Sequence, residues 1–302
     1  MRQIQTSKVT WIDFSEPDAD ELLDLKRKFK LHPLAIEEFT MPSARPKASL
    51  YGDCLYLTIH VPLFDKENRR TFPSELDIVM TDKYLITGHD QDIFQLRDFF
   101  QRLQRSKKSQ EQYMNQSPGY LLYYLIEDLL ESCFPKIDHI NENLDKVEEE
   151  IFKGNEKEMV HEISFVKRDI LNFRRTLKPQ KSVLESLARD NYPMIDSSLR
   201  SYYQDLVGTN IRVWSALENA KETIESLEET NDALLSNKLN TTMKVLTIFS
   251  AVMLPMTVIS SVLSMSMNIP LAHSPHAFWI YVVGMFLISI ITIIIFKVKR
   301  WI

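Results

Sequence analysis

Charge of either sign is missing from the last part of this chain: from 245 to 296 there is no Asp, Glu, Lys or Arg, although these make up 25% of the 302 residues. A run of that length without charge calls for an apolar surrounding and excludes an ordinary solvated surface. Cysteine is scarce as well. Cys54 and Cys133 stand far apart, which excludes a disulfide framework and leaves two structural thiols, with no metal site, as the expectation. The opening residues MRQIQTSKVTWIDF hold no apolar run with a cleavage site, so the soluble body is expected to stay where it is made. A net charge of −5 without a basic cluster speaks against a nucleic-acid partner. Absent too are a Gly-rich phosphate loop, an H-E-x-x-H pair and a nucleophile elbow. ATP-driven pumping and hydrolysis therefore lack a site, and neither an enzyme nor an organic cofactor is expected.

The uncharged run is broken once, around Asn268, Pro270, His273, Ser274, Pro275 and His276. Two spans remain, about 245–266 and 277–296, each roughly 20 residues and long enough to cross the hydrocarbon core of a lipid bilayer. Lys238 and Lys244 precede the first span; Lys297, Lys299 and Arg300 follow the second; the loop between them has no Lys or Arg. By the positive-inside rule both ends face the cytoplasm of a cell membrane crossed twice.

Residues 1–119 mix strand and helix signals and are expected to form a cytoplasmic α/β domain. The segments 9–14, 54–63, 76–80 and 84–87 are rich in β-branched and aromatic residues between turn formers, while 21–29 and 93–104 repeat apolar residues at helical spacing. Residues 120–243 read as a helical stalk, with amphipathic stretches at 120–152 and 156–176 and a third that starts near Leu199 and meets no proline before Pro255. A continuous helix through the first span would run for roughly 65 residues and about 100 Å, and needs neighbours to support it. Leu217, Ala220, Ile224, Leu227, Asn231 and Leu234 fall on the spacing of a packed seam. Glu222, Glu225, Glu228, Glu229 and Asp232, on the other face, are expected to be solvated, although so many carboxylates could also attract cations. Residues 244–302 form the transmembrane hairpin.

On the first span the polar and small residues are ordered. Asn240, Met243, Thr247, Ser250, Leu254, Thr257, Ser261 and Ser264 recur at alternating steps of three and four, which puts them on one helix face. Such a stripe serves either close helix packing through hydroxyl hydrogen bonds or the lining of a wet pathway. Two spans cannot enclose a pore, so a pathway requires a ring of several copies, which the stalk could assemble. Pro255 removes one helical hydrogen bond, and either kinks the span or frees a carbonyl oxygen as a ligand.

With LHPLAIEEF at 31–39, RPK at 45–47, YLLYYLIEDLLESCFP at 120–135 and SNKLNTTMKVLTIFSAVMLPMTVIS at 236–260, the chain resembles the CorA family of magnesium channels over essentially its whole length. The resemblance implies an α+β membrane protein: a funnel-shaped homopentamer with an N-terminal cytoplasmic α/β domain, a long helical stalk and two C-terminal transmembrane helices, the first lining the pore. It also implies Mg²⁺ as the transported ion, with Co²⁺ or Ni²⁺ as further cargo, and cytoplasmic Mg²⁺ as the ion that favours closure. Carried over residue by residue, the pore-lining positions fall on Asn240, Met243, Leu246, Leu254 and Thr257. Met243, Leu246 and Leu254 would form apolar gating rings, and Asn240 and Thr257 would offer oxygen to a hydrated ion. Asp205, with Asp65 as its partner, matches the regulatory Mg²⁺ position between subunits; an ordinary surface carboxylate is the other reading of each.

The resemblance fails at the family's signature. Where Gly-Met-Asn stands in the family, gapless alignment from Pro255 puts Ser264, Met265 and Ser266, and an asparagine follows only two residues later in Ser266-Met267-Asn268. Either Asn268 takes the filter role across a longer loop, or serine hydroxyls replace the filter. Serine lacks the conformational freedom of glycine. The outer loop has no carboxylate, and its His273 and His276 read either as a transition-metal pair or as unliganded side chains. Two alternatives therefore stand beside a magnesium channel: a zinc transporter of the related ZntB type, and a non-conducting membrane sensor or scaffold that has lost its filter.

Overall fold

The computed structural model describes residues 1–17, 21, 25, 27, 29, 31–264 and 276–299. Its contacts divide the chain into two units, Met1–Glu228 and Glu229–Ile302.

The first unit is built on a six-stranded sheet. β1 (Arg2–Gln5) and β2 (Thr10–Ser15) are followed by α1 (Pro33–Thr40), β3 (Lys47–Tyr51), β4 (Cys54–Asp65), β5 (Arg70–Met80) and β6 (Tyr84–His89). The strand order is β1-β2-β6-β5-β4-β3, and β2 with β6 is the parallel pair in an otherwise antiparallel ladder. Successive side chains on a strand point to opposite faces, and here both faces are covered. Leu55, Leu57, Ile59 and Val61 of β4 join one buried cluster with Trp11, Ile78 and Leu85, while Cys54 and Tyr56 join a second with Ile12, Phe14, Val79 and Phe39. This explains why β4 reads as an almost unbroken apolar run. The strands expected at 9–14, 54–63, 76–80 and 84–87 are all present. The expected helix at 21–29 falls largely outside the described residues; Glu21, Leu25, Arg27 and Phe29 are helical.

After the sheet come α2 (Phe94–Arg105), α3 (Lys107–Met114), α4 (Pro118–Glu131), α5 (Cys133–Phe152), α6 (Glu156–Leu177) and α7 (Gln180–Arg189). α4 starts where Ser117 accepts a hydrogen bond from the Tyr120 amide and Pro118 occupies the first turn. It is buried from Tyr120 to Tyr123 and again through Leu130, in the same core as the sheet. The single stretch expected at 120–152 is therefore two helices that meet at Ser132. Pro135 cannot donate the amide hydrogen that would bond the Glu131 carbonyl, so the helix restarts just before it. Both cysteines are free and buried.

α5 buries Ile137, Ile140, Leu144, Val147 and Ile151, and α6 buries Ile163, Val166, Ile170 and Phe173. α8 (Arg200–Ser264) runs unbroken for 65 residues, with Pro255 inside it. Val213, Leu217, Ala220, Ile224 and Leu227 of its seam are buried. Ion pairs Arg174–Glu218 and Lys167–Glu228 tie α6 to α8, and the Arg174 guanidinium lies 4.9 Å over the Trp214 ring. Part of the acidic face is thus neutralised within the chain, Glu225 by Lys221 at 2.9 Å and Glu228 by Lys167. α9 (Ala277–Val298) completes the described chain.

Candidate functional site

Among the described residues, two helices are long and apolar enough to cross a membrane, 197–262 and 278–298. In the second unit they are covered along one face each. On α8 the half-buried residues are Ile248, Ala251, Val252, Pro255, Met256 and Ile259; on α9 they include Tyr281, Met285, Thr292 and Phe296, with Ser289 fully buried. Both sets recur at steps of three and four, the pattern of two helices packed along these faces.

The polar stripe is elsewhere. Asn240, Met243, Thr247, Ser250, Leu254, Thr257, Ser261 and Ser264 are all exposed, and so is Leu246; Met243 and Leu246 are each 64% accessible and Leu254 is 63%. At 100° per residue, the centre of the stripe stands roughly 150° around the helix from the covered face. Of the two uses open to such a stripe, packing against the chain's own second span is therefore not the one it serves. On α9 the covered face holds Ser289 and Thr292, whose hydroxyls donate within their own helix to the Met285 and Ile288 carbonyls at 3.0 and 2.9 Å. The sequence reading named neither residue, although two hydroxyls three apart in an apolar helix were the available signal.

The chemistry of the stripe follows from where its protons go. Thr247 donates to the Met243 carbonyl at 2.7 Å, Thr257 to Leu254 at 2.9 Å and Ser264 to Ser260 at 2.9 Å. A hydroxyl whose hydrogen is committed to the backbone presents only lone pairs outward. The waters around a Mg²⁺ ion turn their oxygens to the metal and their hydrogens away, and Mg²⁺ gives up those waters reluctantly. Acceptors are what such a hydrated ion can use.

The two carboxylates singled out from the sequence are not equivalent. Asp65 ends β4 and closes the turn to β5: its oxygens accept from the Glu67 and Asn68 amides at 3.0 and 3.1 Å and from the Asn68 side chain at 2.6 Å. Those bonds, the Asn68 side chain first, hold its carboxyl below the ordinary value. Asp205 lies exposed on the first turns of α8, near the tyrosine that hydrogen-bonds Glu127. Among the described residues no three or more His, Cys, Asp or Glu converge into a metal site within one chain. Ser264 is the one filter candidate the structure describes, and it is still helical; Met265, Ser266, Met267 and Asn268, and His273, lie outside the described residues.

The profile of the CorA-like Mg²⁺ transporter family matches residues 6–300. The chain belongs to this family. Its CorA relative from Thermotoga maritima, a cobalt/magnesium transport protein, is 25% identical over 98% of this chain and 84% of its own length. The complete CorA magnesium transporter from Methanocaldococcus jannaschii superposes with a TM-score of 0.84 at 22% identity, covering 100% of this chain and 95% of that one. The full-length CmaX protein superposes at 0.76, with 20% identity over 98% and 90%. This is accordingly a CorA-like membrane protein, with a soluble N-terminal part, a long helix and two C-terminal spans. Membership places it among ion transporters.

Proposed function

We propose that this chain is a divalent-cation channel of the cell membrane, with both ends in the cytoplasm and hydrated Mg²⁺ as its main cargo. The observation that carries the reading is the exposed, acceptor-bearing stripe of α8, on the face opposite the one that is covered. Polar groups facing lipid are costly, and two helices cannot surround a pore. A ring of copies, five by resemblance, would hide every stripe at once around a shared axis. Asn240 and Thr257 would then ring the pathway with oxygen, joined by Thr247, Ser250 and Ser261. Met243, Leu246 and Leu254 would form apolar constrictions that close by excluding water.

Regulation by cytoplasmic Mg²⁺ fits Asp205 better than Asp65. Asp205 is exposed, whereas Asp65 already accepts three hydrogen bonds in its turn. One carboxylate does not make a Mg²⁺ site, so the second must come from a neighbouring copy.

Mg²⁺ uptake into proteoliposomes loaded with a Mg²⁺-sensitive dye tests the reading, with Co²⁺, Ni²⁺ and Zn²⁺ run in parallel. Uptake of Mg²⁺ that is lost in Asn240→Leu and Thr257→Leu supports it. No uptake of any ion by correctly assembled protein would sink it and leave the sensor; uptake of Zn²⁺ alone would make the chain a zinc transporter.

A further inference from the structure

Most arginines outside one cleft have a carboxylate or a neutral oxygen beside them. Arg2, Arg69, Arg97, Arg102, Arg174 and Arg189 each lie within 4.0 Å of an acidic side chain, as a chain of net charge −5 readily allows. Arg45, Arg70 and Arg175 make no such pair among the described residues. All three line a single cleft of about 600 Å³.

Three separate segments bring them together. Arg70 opens β5, Arg45 stands in the connection from α1 to β3, and Arg175 is on the last turns of α6. The frame is cross-linked: the Thr71 amide donates to Asp169 of α6, the Gln180 side chain donates to the His60 carbonyl, and the His60 ring bonds the Ser43 carbonyl at 3.1 Å. The carboxylates that could neutralise the arginines are engaged. Asp169 holds Thr71, Glu75 accepts the Ser43 amide at 2.8 Å, and Asp65, which Arg70 influences only through charge, closes its own turn.

Unneutralised guanidiniums in a concavity focus a positive field. Their planar forks match phosphate oxygens two at a time. The volume is within the range of small-ligand sites, and the lining also offers His60, the Phe72 ring and Asn172, enough to seat a base or sugar beside the phosphates. We propose that this cleft binds a polyphosphate anion of the size of a nucleoside di- or triphosphate. Asp169 and Glu75, the carboxylates near the cleft, are each tied to a backbone amide. The cleft lies wholly within the first unit, and the proposal does not depend on the ion that is transported.

The experiment is calorimetric titration of the purified full-length protein, in detergent with EDTA, with ATP, ADP, pyrophosphate and inorganic phosphate. The expected result is saturable binding of ATP that weakens about tenfold in Arg45→Ala and in Arg175→Ala, a charge-assisted phosphate contact in each case. The double variant should weaken roughly a hundredfold. Arg175→Lys should retain most of the affinity, and Arg168→Ala, about two turns away on the same helix and hydrogen-bonded to the Asn68 carbonyl, should change nothing. ATP tighter than pyrophosphate supports a nucleotide seated on Phe72; equal affinities support the polyphosphate chain itself as the ligand. The three arginines are exposed, so unchanged elution on size exclusion is expected of every variant. Absence of binding by all four anions at millimolar concentration overturns the proposal, and so does parental affinity in the double variant.

Discussion

Asp77 and Asp13 are buried carboxylates on β5 and β2, the two strands that flank β6 in the sheet, yet they are driven in opposite directions. Burial is the largest influence on both. At Asp13 it is outweighed by His89, Thr87 and Arg2, which hold the carboxyl below its ordinary value. Among the described residues Asp77 has no ion-pair partner; it accepts hydrogen bonds from Tyr56 at 2.6 Å and Thr58 at 2.9 Å, and burial pushes it from 3.8 up to about 7. A carboxyl that titrates higher in the folded state stabilises the fold fully below pH 3.8, and that contribution is lost as pH rises through about 7. At about 1.4 kcal/mol per pH unit, the part lost between pH 5 and pH 8 is about 3 kcal/mol. Asp77→Asn keeps an oxygen to accept from Tyr56 and Thr58 and cannot ionise. The variant is therefore expected to hold its stability across that interval where the parent loses it, a gap of roughly 5–10 °C in melting temperature at pH 8 for a unit of this size. Melting followed by tryptophan fluorescence of the full-length protein at pH 5, 6, 7 and 8 measures it, because Trp11 is fully buried in the core on the sheet's other face. Parallel curves for parent and variant would refute the reasoning, since Asp77 would then be carrying its charge at no cost.

Three further outcomes follow from the geometry. Tyr203 is fully buried and donates to the Gly119 carbonyl at 2.7 Å, so Tyr203→Phe should cost about 0.5–1.5 kcal/mol by deleting that hydrogen bond, read by urea denaturation. Thr257→Val keeps the shape of the stripe and deletes its lone pairs; Mg²⁺ flux should fall at least about fivefold, an outer-shell hydrogen bond per ring being worth about 1 kcal/mol, while assembly on size exclusion stays unchanged. On the proposed gating, in which Leu254 forms an apolar constriction that cytoplasmic Mg²⁺ closes, Leu254→Asn should raise flux at high cytoplasmic Mg²⁺; flux equal to the parent's would remove Leu254 from the gate.

The sheet was legible because β4 carries a continuous apolar run, and the 65-residue helix because no proline interrupts it before Pro255. Edge elements were not. β1 and β3 bury few side chains on their own, and their pairing comes from β2 and β4, which a local reading does not weigh. α1 was missed because its eight residues begin at Pro33, and α7 because its ten follow a proline and bury only one face. The stripe was legible as a periodicity, but its meaning was not. Periodicity assigns residues to a common face without saying what that face meets, and only the covered face of α8, from Ile248 to Ile259, shows where the stripe is not used. The arginine cleft was illegible for a different reason: Arg45, Arg70 and Arg175 are distant in sequence, and no spacing announces them.

The altered signature leads to the last prediction. α8 remains helical through Ser264, whose hydroxyl donates to the Ser260 carbonyl at 2.9 Å. A residue in helical conformation has no need of glycine's freedom, so the position that aligns with the family's glycine is here simply a further turn of helix. On the reading that Asn268 takes the filter role, it is the nearest residue in sequence that brings an amide oxygen and two donors. Ser264 then adds one more ring of acceptors below the filter. Asn268→Ala should abolish discrimination among Mg²⁺, Co²⁺ and Ni²⁺ and reduce Mg²⁺ uptake at least about tenfold, the value of a direct contact in a dry constriction. Ser264→Ala should change uptake no more than about threefold. The reverse ranking in the proteoliposome assay would assign the filter to the serine hydroxyls, and equal, small effects would mean that selectivity resides deeper, at Asn240 and Thr257.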